Sequence, residues 1–180
     1  MQGYQRIEQS DLPPASRLSS SYAQADFSDA FSVALPDAAC GDAEALARHV
    51  FTKQPAWIAL LLRCRDTLVR PLGLKRTAEL KANGDDRISL FRVFERHADE
   101  VILGEDDSHL DFRVSVLVQP PSQGRLRRLT VTTLVFYRRP LGRAYIALIA
   151  PFHRAVVRAS LDRAQQRGWP DAQPRAVDTP

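Results

Sequence analysis

His109, Asp111, Arg113 and Ser115 fall on every second residue of an alternating segment, residues 109–118, with Leu110, Phe112, Val114 and Val116 between them. Successive side chains of a strand point to opposite faces. The spacing therefore collects an imidazole, a carboxylate, a guanidinium and a hydroxyl on one side and an apolar row on the other. Inside a cavity, Arg113 would hold a ligand carboxylate or enol while His109 or Asp111 acted as general acid or base. On the outside of a sheet the same row is a surface ladder of modest energetic worth. The apolar row must be buried against a covering element, which favours the outside placement; a contact between subunits, and hence a homodimer, is a further use of that face.

A second group centres on His153, at the border of an apolar helical stripe beside Ile149 and Val156. A border histidine is commonly a half-buried side chain satisfied by one hydrogen bond. Turned inward with Tyr145, it would give a cavity a proton donor beside aromatic surface. Other chemistries find less support. Glu105, Asp106 and Asp107 form an acidic cluster near His109, but they sit in an inferred hairpin turn, where acidic residues are common, and the calcium-loop pattern is absent, so no metal is expected. No serine lies in a GxSxG elbow, and neither Cys40 nor Cys64 has a neighbouring histidine or a CxxC partner. Both cysteines read as reduced and structural.

The elements that must position these groups follow from pattern. Residues 27–35 alternate as a first strand. Asp42 is a helix N-cap for a short helix through Phe51, and Pro55 opens a second helix carrying Trp57, Leu60, Leu61, Cys64, Leu68 and Val69 on one face. Residues 76–82 and 87–95 flank Asn83–Gly84, a hairpin turn dipeptide. Strands at 101–104 and 109–119 flank the turn EDDS, and 126–138 is a long final strand. From Leu141 the residues Tyr145, Leu148, Ile149, Phe152, Val156 and Ala159 share a helical face, and the helix runs to about Arg167. Residues 1–25 read as a flexible arm, 26–168 as one domain and 169–180 as a flexible tail.

Composition bounds the rest. The chain has 180 residues, 44% of them hydrophobic and 26% charged, as expected of a globular protein with an ordinary core. No apolar run is long enough to span a bilayer, and the first residues lack a signal-peptide core, so a cytoplasmic location is expected. Residues 120–180 carry 11 arginines against 3 acidic residues, a net charge of +8, whereas the first 119 carry −4. The arginines are scattered and no nucleic-acid-binding motif accompanies them, so nucleic acid is not an expected partner.

A strand, two helices, about five antiparallel strands and a long closing helix make an α+β domain whose curved sheet, about six strands in all, has one element long enough to cover it. The order resembles the helix-grip fold of the START-like, polyketide-cyclase-like superfamily. Within it, the stretches DAFSVALP, RPLGL, ISLFRVFER, DEVILGEDDSHLDFRVSVLV and LTVTTLVFYRRPLGRAYIALIAPFHRAVVR resemble the bacterial domain of unknown function 2867 over about residues 25 to 165. The resemblance implies a space between sheet and closing helix for an apolar or aromatic ligand, lined here by Phe112, Tyr145, Ile149, Phe152 and His153. It also makes cyclase-like chemistry conceivable, with His153, Tyr145, Asp111 and Arg113 as the groups to carry it. Some relatives carry a nucleotide-binding domain, but there is no GxGxxG here, so no cofactor is expected. Binding of a small apolar or aromatic molecule without turnover is the expected function, with an interaction module as a further alternative.

Overall fold

The computed structural model describes residues 5–52, 86–107, 110–122 and 126–172. Strand β1 (Glu8–Gln9) is followed by a 3-10 helix (Arg17–Gln24), β2 (Phe27–Ala34) and α1 (Ala43–Phe51). Then come β3 (Arg87–Ile88), β4 (Phe91–Arg96), β5 (Glu100–Asp106), β6 (Leu110–Gln119), β7 (Arg128–Tyr137) and α2 (Pro140–Gln166). The strands form one antiparallel sheet in the order β1-β2-β7-β6-β5-β4-β3. Only β2, next to β7, departs from a simple meander.

The two long strands expected at 109–119 and 126–138 are the centre of the sheet, paired from Leu110 opposite Tyr137 to Gln119 opposite Arg128. Their even and odd phases separate as pleating requires. Val114, Val116 and Val118 enter the main core, together with Leu129 and Val131 of β7 and Phe31 and Val33 of β2. The single strand expected at 87–95 is instead broken by a turn at Ser89–Leu90, where Ser89 takes a left-handed φ of 58°. The expected Asn83–Gly84 turn, the strand at 76–82, the second helix and Cys64 lie outside the described residues.

Helix α1 begins where its cap requires. Asp42 accepts hydrogen bonds from the amides of Glu44 (2.9 Å) and Ala45 (3.4 Å), satisfying donors that the first turn cannot pair internally. The helix buries Ala43, Leu46, Ala47, Val50 and Phe51 over β5 and β6. Cys40, just ahead of it, is buried and free, and burial pushes its thiol up, away from the reactive thiolate.

Helix α2 starts on Pro140, whose fixed backbone angle suits a first turn, and ends before Gly168 at a left-handed φ of 77°. It crosses β2 and β7 on the same side of the sheet as α1. The face it buries is not the expected one. Ile146, Val157, Ser160, Leu161 and Ala164 are buried, with Ile149 and His153 half-buried, whereas Leu148 and Phe152 are 56% and 53% exposed. At about 100° per residue, the helix is therefore rotated by roughly a third of a turn from the expectation that Tyr145, Leu148 and Phe152 would meet Phe112, Val114 and Val116. The side chain of Tyr145 is outside the described set.

Described residues of the segments expected as arm and tail make contacts with the rest of the domain. The Gln5 amide donates to Gln165 Oε1 (2.7 Å), β1 pairs with β2, and Ser16 is buried on the outer sheet face. After α2, Trp169 is buried against the His49 ring, and Pro170 and Ala172 exchange backbone hydrogen bonds with residues 38–40. These contacts are long-range, and composition carries no record of them.

Candidate functional site

The sheet puts a carboxylate where its pattern calls for a hydrocarbon. In β2 the inward phase reads Phe27, Asp29, Phe31, Val33, and Asp29 is held opposite Thr133 of β7, itself buried. The Asp29 side chain is 1% exposed, and α2 lies directly over it. His153 Nε2 approaches Asp29 Oδ1 at 3.3 Å, and the Phe27 ring meets the imidazole edge-on at 6.0 Å between centroids. Arg154 Nε is 3.8 Å from Asp29 Oδ2, beyond hydrogen-bond length, so that oxygen is buried without a hydrogen-bond partner among the described residues. A buried carboxylate in this condition is a costly feature and calls for a compensating partner.

Packing around this pair is uneven along α2. Below His153, Val157, Leu161 and Ala164 join the main core. Above it a second, smaller cluster holds Leu110, Val135 and Ile146, with Phe27, Phe112, Tyr137 and Ile149 only partly buried around them. Pro151 lies in this upper half and removes one backbone donor from the helix ladder. The Asp29–His153 pair thus sits at the boundary between a filled core and a sparser, aromatic-edged region. Elsewhere, an open groove of about 600 Å³ lies at the start of α1, lined by Gly41, Asp42, Arg96, His97 and Ala98, with no residue of α2 in its walls.

The expected site residues divide between the two faces of the sheet. Phe112, Ile149 and His153 are on the inner face, and Phe152 points outward. Asp111 and Arg113 are on the outer face, so they cannot join His153 in one catalytic constellation. They do not pair with each other either: Arg138 Nε donates to Asp111 at 2.7 Å, while Arg113 meets Asp106 at 2.8 Å and lies 3.8 Å from the centre of the Phe94 ring. This is the surface ladder that alternation favours, with different partners. His109 lies outside the described residues. Glu105 of the acidic cluster is bound by Arg87 at 2.9 Å, and the described residues contain no grouping of three or more metal-ligating side chains.

Two buried carboxylates lie outside the expected set of site residues. Asp29 had a signal, a lone carboxylate in the apolar phase of FSDAFSVAL. Glu100 had none. It is fully buried on the outer face, accepting from the Ser16 and Ser115 hydroxyls (2.5 Å each), the Arg17 amide (2.9 Å) and the Arg17 guanidinium (3.2 Å). The partners Ser16 and Arg17 are more than 80 residues away in sequence. They pin the N-terminal segment, and Tyr22, whose phenol is pushed up by burial, donates to the Pro13 carbonyl at 2.8 Å within it. Beside this clamp a hydroxyl chain links Ser10, Ser32, Thr130 and Gln119 at 2.8–2.9 Å.

No curated protein and no solved structure matches the chain. The family model described as "Protein of unknown function (DUF2867)" matches residues 21–160, most of the chain, and the protein belongs to that family.

Proposed function

We propose that this domain binds a small, mostly apolar or aromatic molecule between the sheet and the upper half of α2, without turnover, in a helix-grip arrangement of the START-like kind. The observation that carries the reading is Asp29: a buried carboxylate on the face that α2 covers, with one oxygen lacking a hydrogen-bond partner among the described residues. A ligand hydroxyl or amine would satisfy that oxygen, while Phe27, Phe112 and Ile149 supply apolar contact. His153, 25% exposed, would form the rim. The 3.3 Å Asp29–His153 contact also supports a second reading, in which Asp29 orients His153 as a general base in cyclase-like chemistry. Asp111 and Arg113 have no part in either.

Titration with 2-naphthol, an aromatic alcohol with intrinsic fluorescence, tests the binding reading. Saturable one-to-one binding is expected, weakened about tenfold by Asp29→Asn, the loss of one charge-assisted hydrogen bond. His153→Leu should alter the affinity while leaving the fold intact. Non-saturable binding, or equal affinity in all three proteins, contradicts a ligand site at Asp29. Turnover of an aromatic polyketide-like substrate that His153→Leu abolishes would replace binding by catalysis.

A further inference from the structure

The outward side of α2 carries an apolar row of its own. Ala144, Leu148, Pro151, Phe152 and Ala155 recur at helical spacing and are all exposed, Leu148 and Phe152 by more than half. Their Cα atoms span about 17 Å along the helix axis. Contiguous apolar side chains left exposed on a helix mark a candidate interaction surface.

Charge selects the partner. Residues 138–161 contain Arg138, Arg139, Arg143, Arg154 and Arg158 and no Asp or Glu. Arg138 is engaged by Asp111, and Arg154 lies near Asp29. Arg139, Arg143 and Arg158 are exposed and make no ion pair with a described carboxylate. Arg158 lies 5.0 Å from the centre of the buried Phe31 ring, so its charge has a ring and not a carboxylate for a partner. A second copy packed on the same ridge would bring two sets of unpaired arginines together without a carboxylate between them, which opposes association. A shape-matched protein groove would need concavity in the partner, whereas a fluid surface accommodates a single convex helix. An apolar ridge flanked by cations is the form of a helix that lies in the headgroup region of an anionic bilayer, its apolar side chains reaching the acyl boundary and its arginines the lipid phosphates. No described helix is long and apolar enough to cross a membrane.

We propose that the outward face of α2 binds the surface of anionic phospholipid membranes, with Leu148 and Phe152 inserting and Arg139, Arg143 and Arg158 meeting the headgroups. Surface binding here leaves the inner-face pair of Asp29 and His153 untouched and does not depend on the ligand-binding reading.

Co-sedimentation of the full chain with vesicles of phosphatidylcholine and phosphatidylserine, against vesicles of phosphatidylcholine alone, tests this. The protein should pellet with the mixed vesicles and not with the neutral ones, and added salt should release it. The double variant Leu148→Asp, Phe152→Asp should bind at least about tenfold more weakly at unchanged melting temperature, since both positions are exposed. As an independent arm, Arg143→Ser with Arg158→Ser should lose binding while keeping the apolar ridge. Equal pelleting with neutral vesicles, no pelleting at all, or full binding by both double variants overturns the proposal. A dimer that the Leu148→Asp, Phe152→Asp variant dissociates, without vesicle binding by the parent, assigns the ridge to a second copy instead.

Discussion

Replacing Glu100 by Ala should lower stability by about 3 kcal/mol and release the N-terminal segment from the sheet. Glu100 is fully buried and its two oxygens accept four hydrogen bonds, two from hydroxyls that are themselves buried. Removing the acceptor leaves the buried Ser16 and Ser115 hydroxyls only each other, 3.5 Å apart, so at least one donor goes unmet, at about 1–3 kcal/mol for each unsatisfied group. The outer face at Ser115 would then lose its cover. Local opening follows, because the 3-10 helix at Arg17–Gln24 has no buried residue of its own to hold it. Thermal melting should show a fall of roughly 6–12 °C for a chain of this size, and limited proteolysis should cut within residues 10–24 far sooner than in the parent. Glu100→Gln, which keeps an acceptor but presents an amide donor to Arg17, should fall between the two. A Glu100→Ala protein with the parent's melting temperature and protease pattern would show that the segment is held by other contacts.

The second large effect separates the two sides of α2. Leu161 is fully buried in the main core, so Leu161→Ala should cost about 2–5 kcal/mol through lost apolar transfer and an unfilled cavity. Phe152 is larger but 53% exposed, and Phe152→Ala should cost less than about 1 kcal/mol. Urea denaturation of both variants checks the difference, with equal slopes required for the comparison. Equal losses at the two positions would contradict the orientation of the helix.

That orientation is also where the sequence was least legible. Periodicity announces that a helix has an apolar stripe, and α2 has two: Leu148 and Phe152 on one side, Ile146, Val157, Leu161 and Ala164 on the other. Nothing local distinguishes the one that meets the sheet from the one that meets solvent. By contrast, α1 was readable because Asp42 caps it by contacts within three residues, and β6 because its inward phase, Leu110 to Val118, is apolar throughout, with β7 broken only at Thr133. Asp29 was readable in principle, as a break in an otherwise apolar phase. The Glu100 clamp was not, since Ser16 and Arg17 look like loop residues until a carboxylate far along the chain receives them. The same holds for Trp169, which composition assigns to a tail and the His49 ring draws into the core.

Both the ligand site at Asp29 and the outward ridge depend on this one rotation of α2 about its axis. Thiol labelling reads it directly. In a background carrying Cys40→Ala and Cys64→Ala, single substitutions Phe152→Cys and Val157→Cys place a thiol on each side of the helix. Under native conditions maleimide should modify position 152 at close to the rate of the unfolded chain and position 157 at least about tenfold more slowly, since only opening of the core exposes it. Protection at 152 with rapid labelling at 157 would place the sheet against the opposite face of the helix and remove the Asp29–His153 pairing.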